Sequence, residues 1–471
     1  MSNLNIVVNF ALAIILSRLL SPDDIGVFSM SAVLIAIAHT FRDFGVTAYL
    51  KREKELTDQT IRTARGLLYI TSWTMALAMF LSASFWAQFF NEPRVEDVVH
   101  VLALGFVFIP FGAIPQAIMG RELNVVQNSK VVLVSTLVYF AASVSLALLG
   151  FKHMTMAWAN LVNILVSGLA FNLLLNRRLP WMPSLEGWRS MVSFGTANIL
   201  TALLNVINAS LPDLVLGRLS MAANVGLFSR ATSTVNMVGK VIEPTINYFT
   251  LPYMARMHHA TGNVSRDYLR AGSIINCVLL PALAWVALMA REIVLFLYGD
   301  QWLGAVSAIP WLCAAIAIST LFTMSTKTVT GVGKPYAALA PLIATIIGKL
   351  VAVVIFYDGT LKNFSFAIFA GELVSIPFYL YLKSAYLKVD IFDWTKDTLK
   401  IGIIVTTAMV LTKIVMLIDF LKINIVIQFA LYAIIITVIC AAGYWVAKLP
   451  IADEIINAVR STRKTYKNNK I

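Results

Sequence analysis

The stretch LSRLLSPDDIGVFSM (16–30) returns two hundred residues later as LGRLSMAANVGLFSR (216–230), without a gap. Leu16/Leu216, Arg18/Arg218, Leu19/Leu219, Gly26/Gly226, Phe28/Phe228 and Ser29/Ser229 are identical, and at the same offset Asp43 falls on Glu243. Apolar helices resemble one another easily, but an arginine, a glycine and an acid in register are harder to obtain by chance. The chain therefore reads as an internal duplication.

The surroundings of these motifs settle the medium. Of 471 residues 59% are hydrophobic and 13% charged, against roughly 45–50% and about 25% in soluble domains. A mean hydropathy of +0.79 leaves too little polar surface to coat a water-exposed body of 51.8 kDa, so most of the chain must face lipid. Disorder, a coiled coil and a disulfide scaffold are excluded. Cys277, Cys313 and Cys440 all sit in apolar runs and suggest neither redox nor zinc chemistry.

Read with a window of about 20 residues, fourteen apolar stretches emerge. They lie near 4–20, 25–50, 64–90, 97–118, 131–150, 156–175, 191–216, 224–250, 271–298, 304–326, 337–356, 364–383, 401–419 and 425–447. Their length and unbroken apolarity favour helices over barrel strands, whose mark is alternation. The expected fold is an all-α polytopic membrane protein of about 14 transmembrane helices. Two six-helix lobes, 1–178 and 188–383, precede helices 13 and 14 within 400–447 and a basic tail, 448–471.

Alternate connectors, counted with the tail, hold 24 Lys and Arg, and the opposite set holds 5. Such a skew places both termini in the cytoplasm of a plasma membrane. The net charge of +13 then reflects insertion and anionic lipid, since no basic segment is interleaved with base-stacking aromatics. Nucleic-acid binding is rejected. Six spans separate the two motifs, so the halves insert in the same orientation, as a parallel repeat about an axis along the membrane normal. In carriers built this way the substrate path lies between the halves, and alternating access is largely rocking of one half against the other.

An ionisable group deep in a span needs compensation, usually in a protein cavity. Lys349 is about twelve residues into its span and Glu372 about nine into the next, which at about 1.5 Å per residue puts both near the midplane. They read equally well as a structural ion pair or as functional groups. Lys240 and Glu243 share a helix face, and Arg42 and Asp43 lie at the corresponding depth of the first half. With Arg230, the candidate substrate-binding cations are Arg42, Lys240 and Lys349. Asp43, Glu243 and Glu372 either balance them or carry a coupling ion. A cationic cleft suits an anionic substrate such as a pyrophosphate. Arg18, Arg65 and Arg291 lie within a turn or two of a span end, where they can snorkel.

No connector exceeds about 25 residues, leaving no room for a soluble catalytic domain. GVGKP (331–335) lacks the upstream glycine and the following Ser/Thr of a phosphate loop, and adjacent His258 and His259 have no partners at metal spacing. The chain is read as a non-enzyme without catalytic residues, metal or cofactor.

Four stretches carry a family resemblance. LSRLLSPDDIGVFSM resembles the signature after the first helix of bacterial polysaccharide exporters, and LVLGRLSMAANVGLFSRA (214–231) its second-half counterpart. FLYGDQWLGAVSAIPWLCA (296–314) is similar to the family's Gly, Trp and Ala pattern, and TGVGKP (330–335) to its short glycine turn. The chain thus resembles Wzx-like lipopolysaccharide or exopolysaccharide flippases of the multidrug/oligosaccharidyl-lipid/polysaccharide exporter superfamily.

That resemblance implies a V-shaped carrier with a cationic central cavity. Its cargo would be undecaprenyl-pyrophosphate-linked oligosaccharide, moved from the cytoplasmic to the periplasmic leaflet of the bacterial inner membrane for capsule, colanic-acid-like or O-antigen assembly. It further implies partnership with membrane lipids and with polymerase machinery, a polyprenyl-tail groove at helices 13 and 14 beside Lys413, and organisational roles for Arg18 and Arg218. Two alternatives stand beside it. One is a cation-coupled multidrug exporter of the same superfamily, against which the intramembrane cations argue. The other is a membrane glycan polymerase or ligase, against which the short outward connectors argue.

Overall fold

The computed structural model describes every residue except 1, 54, 123, 176, 178, 262–263, 418–424 and 452–471. It also leaves undescribed the side chains of 2, 3, 125, 194–198, 241–252, 255, 258–261, 335 and 426. The described residues form helices and no strand. Packing divides the chain into two compact units.

The first unit, 1–229 with 297–302, holds α1 (Ser2–Leu19), α2 (Pro22–Asp43), α3 (Val46–Arg52), α4 (Asp58–Phe90) and α5 (Arg94–Arg121). It continues through α6 (Val125–Leu148), α7 (Thr155–Leu174), α8 (Trp188–Leu219) and the start of α9 (Ala222–Thr261). The second unit, 230–296 with 303–471, holds the rest of α9, α10 (Ser265–Leu288), most of α11 (Ala290–Leu297), α12 (Ile309–Leu321) and α13 (Thr323–Gly331). It ends with α14 (Leu339–Phe356), α15 (Leu361–Leu373), α16 (Ile376–Ala385), α17 (Ile391–Leu417) and α18 (Ile425–Val446). The repeat-based lobes, 1–178 and 188–383, are drawn on a different criterion. Packing sets the second motif beside the first.

Among the described residues, twelve helical segments are long and apolar enough to cross a membrane. The expected spans at 4–20 and 224–250 fall on α1, a shorter apolar helix, and on α9. Four expected spans are broken. The 25–50 stretch divides into α2 and α3 where Phe44 (φ 39°) and Gly45 (φ 73°) turn left-handed, a geometry that suits glycine. The 271–298 stretch divides at Met289, and 304–326 divides at Phe322. The 364–383 stretch divides before α16, so Pro377 lies in the first turn, where its missing N–H costs little, instead of kinking a continuous helix.

The repeated motif explains itself at its start. Ser21 caps α2 by accepting from the Asp24 backbone N–H at 3.1 Å, while the Asp24 carboxylate accepts from the Ser21 N–H, and Pro22 occupies the first turn. Such a cap stabilises a helix by about 1 kcal/mol. Gly26 and Gly226 then let α2 and α9 touch. A Cβ on Gly26 would lie 1.8 Å from the Ala222 carbonyl oxygen, and one on Gly226 would lie 1.8 Å from that of Pro22. Each glycine meets the residue four before the other, which is twofold packing written in sequence. Arg18 Nε donates to the Leu297 carbonyl at 3.3 Å, and Arg218 Nη1 to that of Phe89 at 3.0 Å, each cation sitting at the C-terminal end of a helix. Trp302, fully buried, donates from Nε1 to the Ser17 carbonyl at 2.7 Å.

Candidate functional site

In the first unit, α2, α3, α5 and α7 enclose a polar cavity of about 500 Å³. The break at Phe44 and Gly45 ends α2 there, so Arg42 and Asp43 occupy its last turn and line the cavity. The two adjacent charges do not pair. Asp43 turns to Thr47, whose hydroxyl lies 2.8 Å from both carboxylate oxygens. The Arg42 carbonyl accepts from Thr71 Oγ1 at 2.8 Å. Its guanidinium makes no ion pair among the described residues, and its Nε is buried without a hydrogen-bond partner. A buried donor left unmade is costly, so this cation is poised to accept an anion.

The walls from α5 and α7 carry no charge and mix amide and hydroxyl groups with apolar side chains. Asn160, Asn163 and Ser167 follow one face of α7, and Gln116 faces the cavity from α5. Those two helices approach closely because a Cβ on Gly112 would lie 2.7 Å from the Gly168 Cα. Lys51 reaches the cavity from α3.

The second unit treats its deep cation differently. Lys349 Nζ lies 2.7 Å from Glu372 Oε1, with both side chains largely buried. Gly348 and Gly371, each adjacent to one member of the pair, bring α14 and α15 together. A Cβ on Gly371 would lie 2.5 Å from the Lys349 Cα, and one on Gly348 would lie 2.7 Å from the Gly371 carbonyl oxygen. Small residues are what allow helices in a membrane to pack this closely.

The remaining sequence candidates scatter. Arg230 is buried in α9, its carbonyl accepting from Thr234 Oγ1 at 2.8 Å. Lys240 is exposed, and the side chain of Glu243 lies outside the described residues, as does most of the tail. Lys413 is exposed on α17. An apolar groove of about 760 Å³ runs between α10 and α18, lined by Pro281, Trp285, Cys440, Tyr444 and Trp445 among others, and Lys413 is not in its lining.

Two cations at span ends are buried. Lys383, the last residue of the expected span 364–383, is fully buried in α16. Its Nζ lies 3.3 Å from the Trp394 ring centre, 4.3 Å from Phe322 and 5.5 Å from Tyr268, without a hydrogen-bond partner. Cation–π contact with three rings replaces the water it loses. Arg65, expected to snorkel, is instead buried and lies 5.3 Å over the ring of Trp181. The aromatic partners are remote in sequence, so only the run FYLYLK (378–383) hinted that Lys383 belongs to a span.

Comparison with known proteins places this geometry in context. WzxC of Escherichia coli K12, a lipopolysaccharide biosynthesis protein, is 24% identical over 303 residues, 64% of this chain and 61% of WzxC. TuaB of Bacillus subtilis 168, a teichuronic acid biosynthesis protein, is 22% identical over 269 residues, 56% of this chain and 55% of TuaB. The match thus spans about three fifths of these relatives' length. The fold is that of the lipid II flippase MurJ in its inward closed conformation, with a TM-score of 0.70, 10% identity, and 94% of this chain and 97% of that one covered. An inward-facing multidrug resistance MATE transporter of the MOP superfamily gives a TM-score of 0.57 at 16% identity, with 82% and 95% covered. Residues 15–307 match the profile of the polysaccharide biosynthesis protein family, and with more than half of its length inside that match the chain belongs to the family.

Proposed function

We propose that the protein is a flippase. It moves undecaprenyl-pyrophosphate-linked oligosaccharide repeat units from the cytoplasmic to the periplasmic leaflet of a bacterial inner membrane, for assembly of a capsule, colanic-acid-like or O-antigen polysaccharide. The observation that carries the reading is the polar cavity holding Arg42 without an acid partner, in a chain of the polysaccharide biosynthesis protein family. Arg is the side chain best matched to phosphate oxygens, because its planar donors engage two at once. A cavity with a spare cation also disfavours cationic drugs as cargo.

With both termini cytoplasmic, as the Lys and Arg skew implies, the α2 end bearing Arg42 and the basic α3 residues Lys51 and Arg52 lie toward the leaflet where the precursor is made. Arg42 grips the pyrophosphate, whereas Lys349 is held by Glu372 within the second unit. Alternating access follows from the parallel repeat of 1–178 and 188–383. The apolar groove between α10 and α18 suits the polyprenyl tail, which the polymerase machinery would receive still attached to its glycan.

The test is made in the native host. Deletion of the gene should accumulate lipid-linked glycan on the cytoplasmic side, and restoration should clear it. No accumulation in cells shown to make the precursor, together with drug resistance on overexpression, would replace this reading with drug export.

A further inference from the structure

We propose that the cavity among α2, α5 and α7 is a glycan-recognition subsite, in which the carboxamides of Gln116, Asn160 and Asn163 hydrogen-bond hydroxyls of the sugar next to the pyrophosphate. This rests on the flippase reading and adds where the cargo's sugar is read.

All three amides line the cavity, and none makes a hydrogen bond to another described residue. Helix-bound Asn and Gln in a span normally bond a neighbouring helix or their own backbone, as Asn172 does with Phe111 and Gly168 at 2.8 Å. Three carboxamides facing one cavity with unused hydrogen-bonding capacity are a different arrangement. Each offers two donors and an acceptor, the mixed set that sugar hydroxyls require and that a phosphate, an acceptor only, does not.

Their placement follows from helix geometry. Asn160 and Asn163 are three apart on α7, with Ser167 one turn further, so they form a row. Gln116 is one turn beyond Gly112, the residue that lets α5 press against Gly168, and so lies beside that row. The apolar faces of Phe171 and Ile109 line the same cavity and suit the C–H faces of a sugar ring. Arg42 occupies the same cavity, so the anionic end of the ligand and its first sugar are read together. A cavity of about 500 Å³ falls within the range of small-ligand sites. Because Arg42 stands in the same cavity, the sugar that the amides meet is the one nearest the pyrophosphate. A site built to bond hydroxyls also rejects cargo that lacks them, because its own polar groups would then stay unpaired.

The experiment measures binding of two lipids to the full chain in nanodiscs: the lipid-linked repeat unit extracted from the deletion strain, and undecaprenyl pyrophosphate without sugar. The wild type should bind the glycosylated lipid about tenfold more tightly or better, a difference of about 1.4 kcal/mol. Gln116→Ala with Asn160→Ala and Asn163→Ala should bring that ratio close to one while leaving affinity for undecaprenyl pyrophosphate unchanged. The single variant Asn163→Ala, with its melting temperature checked, should give an intermediate ratio if the triple variant fails to fold. An unchanged ratio in a folded variant, or equal wild-type affinity for both lipids, would overturn the subsite. Failure of the wild type to bind either lipid would overturn the flippase reading itself.

Discussion

Arg42 in the first unit and Lys349 in the second are both cations on apolar helices, and each has an acid nearby in sequence or space. Their fates differ because of what packs around them. Gly348 and Gly371 draw α14 and α15 together until Lys349 and Glu372 lie 2.7 Å apart, closing the charge inside the helix pair. In the first unit the close contact is between α5 and α7, at Gly112 and Gly168. α2 faces these two helices across a polar cavity, and Asp43 has turned to Thr47. One cation is consumed by structure; the other is left available. Cations on the helices of the two units thus carry different meanings, Arg42 at the end of α2 and Lys349 in the middle of α14, and the packing around them decides which.

The largest expected effect sharpens the closed half of this contrast. Lys349→Ala strands the Glu372 carboxylate in an apolar setting, a change that costs about 3–5 kcal/mol. A fall in the melting temperature of purified protein would register it. Lys349→Met combined with Glu372→Leu should recover most of that loss, since a buried ion pair is often replaceable by matched apolar groups. If the double variant is stable but exports no polysaccharide, the pair serves transport as well as packing, and the contrast weakens.

A smaller loss is expected where the two repeats touch. Gly26→Ala and Gly226→Ala each place a methyl 1.8 Å from a backbone oxygen, and relieving such overpacking costs about 1–3 kcal/mol. Because the contact is symmetric, the two substitutions should lower the melting temperature by similar amounts. A twofold or greater disparity would argue against twofold packing at this point.

The smallest effect lies outside the membrane-spanning segments. Arg94 donates to both Glu92 oxygens, at 2.7 and 2.8 Å, and these hydrogen bonds hold the Glu92 carboxyl below its usual range. A carboxylate with a lowered folded pKa adds stability above its unfolded pKa and loses it as pH falls through the folded value. Stability should therefore be flat from pH 8 to about pH 5 and decline further into acid, by about 0.2–1 kcal/mol for so partly exposed a pair. Arg94→Gln should remove that portion of the acid sensitivity in a melting series.

The architecture was legible because membrane helices announce themselves in composition and the repeat in register. Gly26 and Gly226, aligned from sequence alone, are the residues at the contact. The break at Phe44 left a trace in the adjacent Arg42, Asp43 and Gly45, whereas that at Phe322 has neither a glycine nor a proline beside it. Depth along a span identified Arg42 and Lys349 as interior but not which had a partner, because partnership depends on which helix faces lie opposite. Lys383 was missed for the converse reason. Charge at the edge of a span reads as a connector, and its aromatic surroundings come from three remote segments. Gln116, Asn160 and Asn163 drew no notice either, as uncharged polar residues in apolar runs.

The most direct test of the central claim is the leaflet of lipid-linked glycan in the deletion strain, complemented with wild type or with Arg42→Ala at matched membrane abundance. Wild type should clear the cytoplasmic-side precursor, and Arg42→Ala should leave it at least tenfold higher while the variant's stability stays within about 1 kcal/mol of wild type. Full clearance by a folded Arg42→Ala variant would contradict the account, for the buried cation that lines the cavity without an ion pair would then not be where the cargo binds.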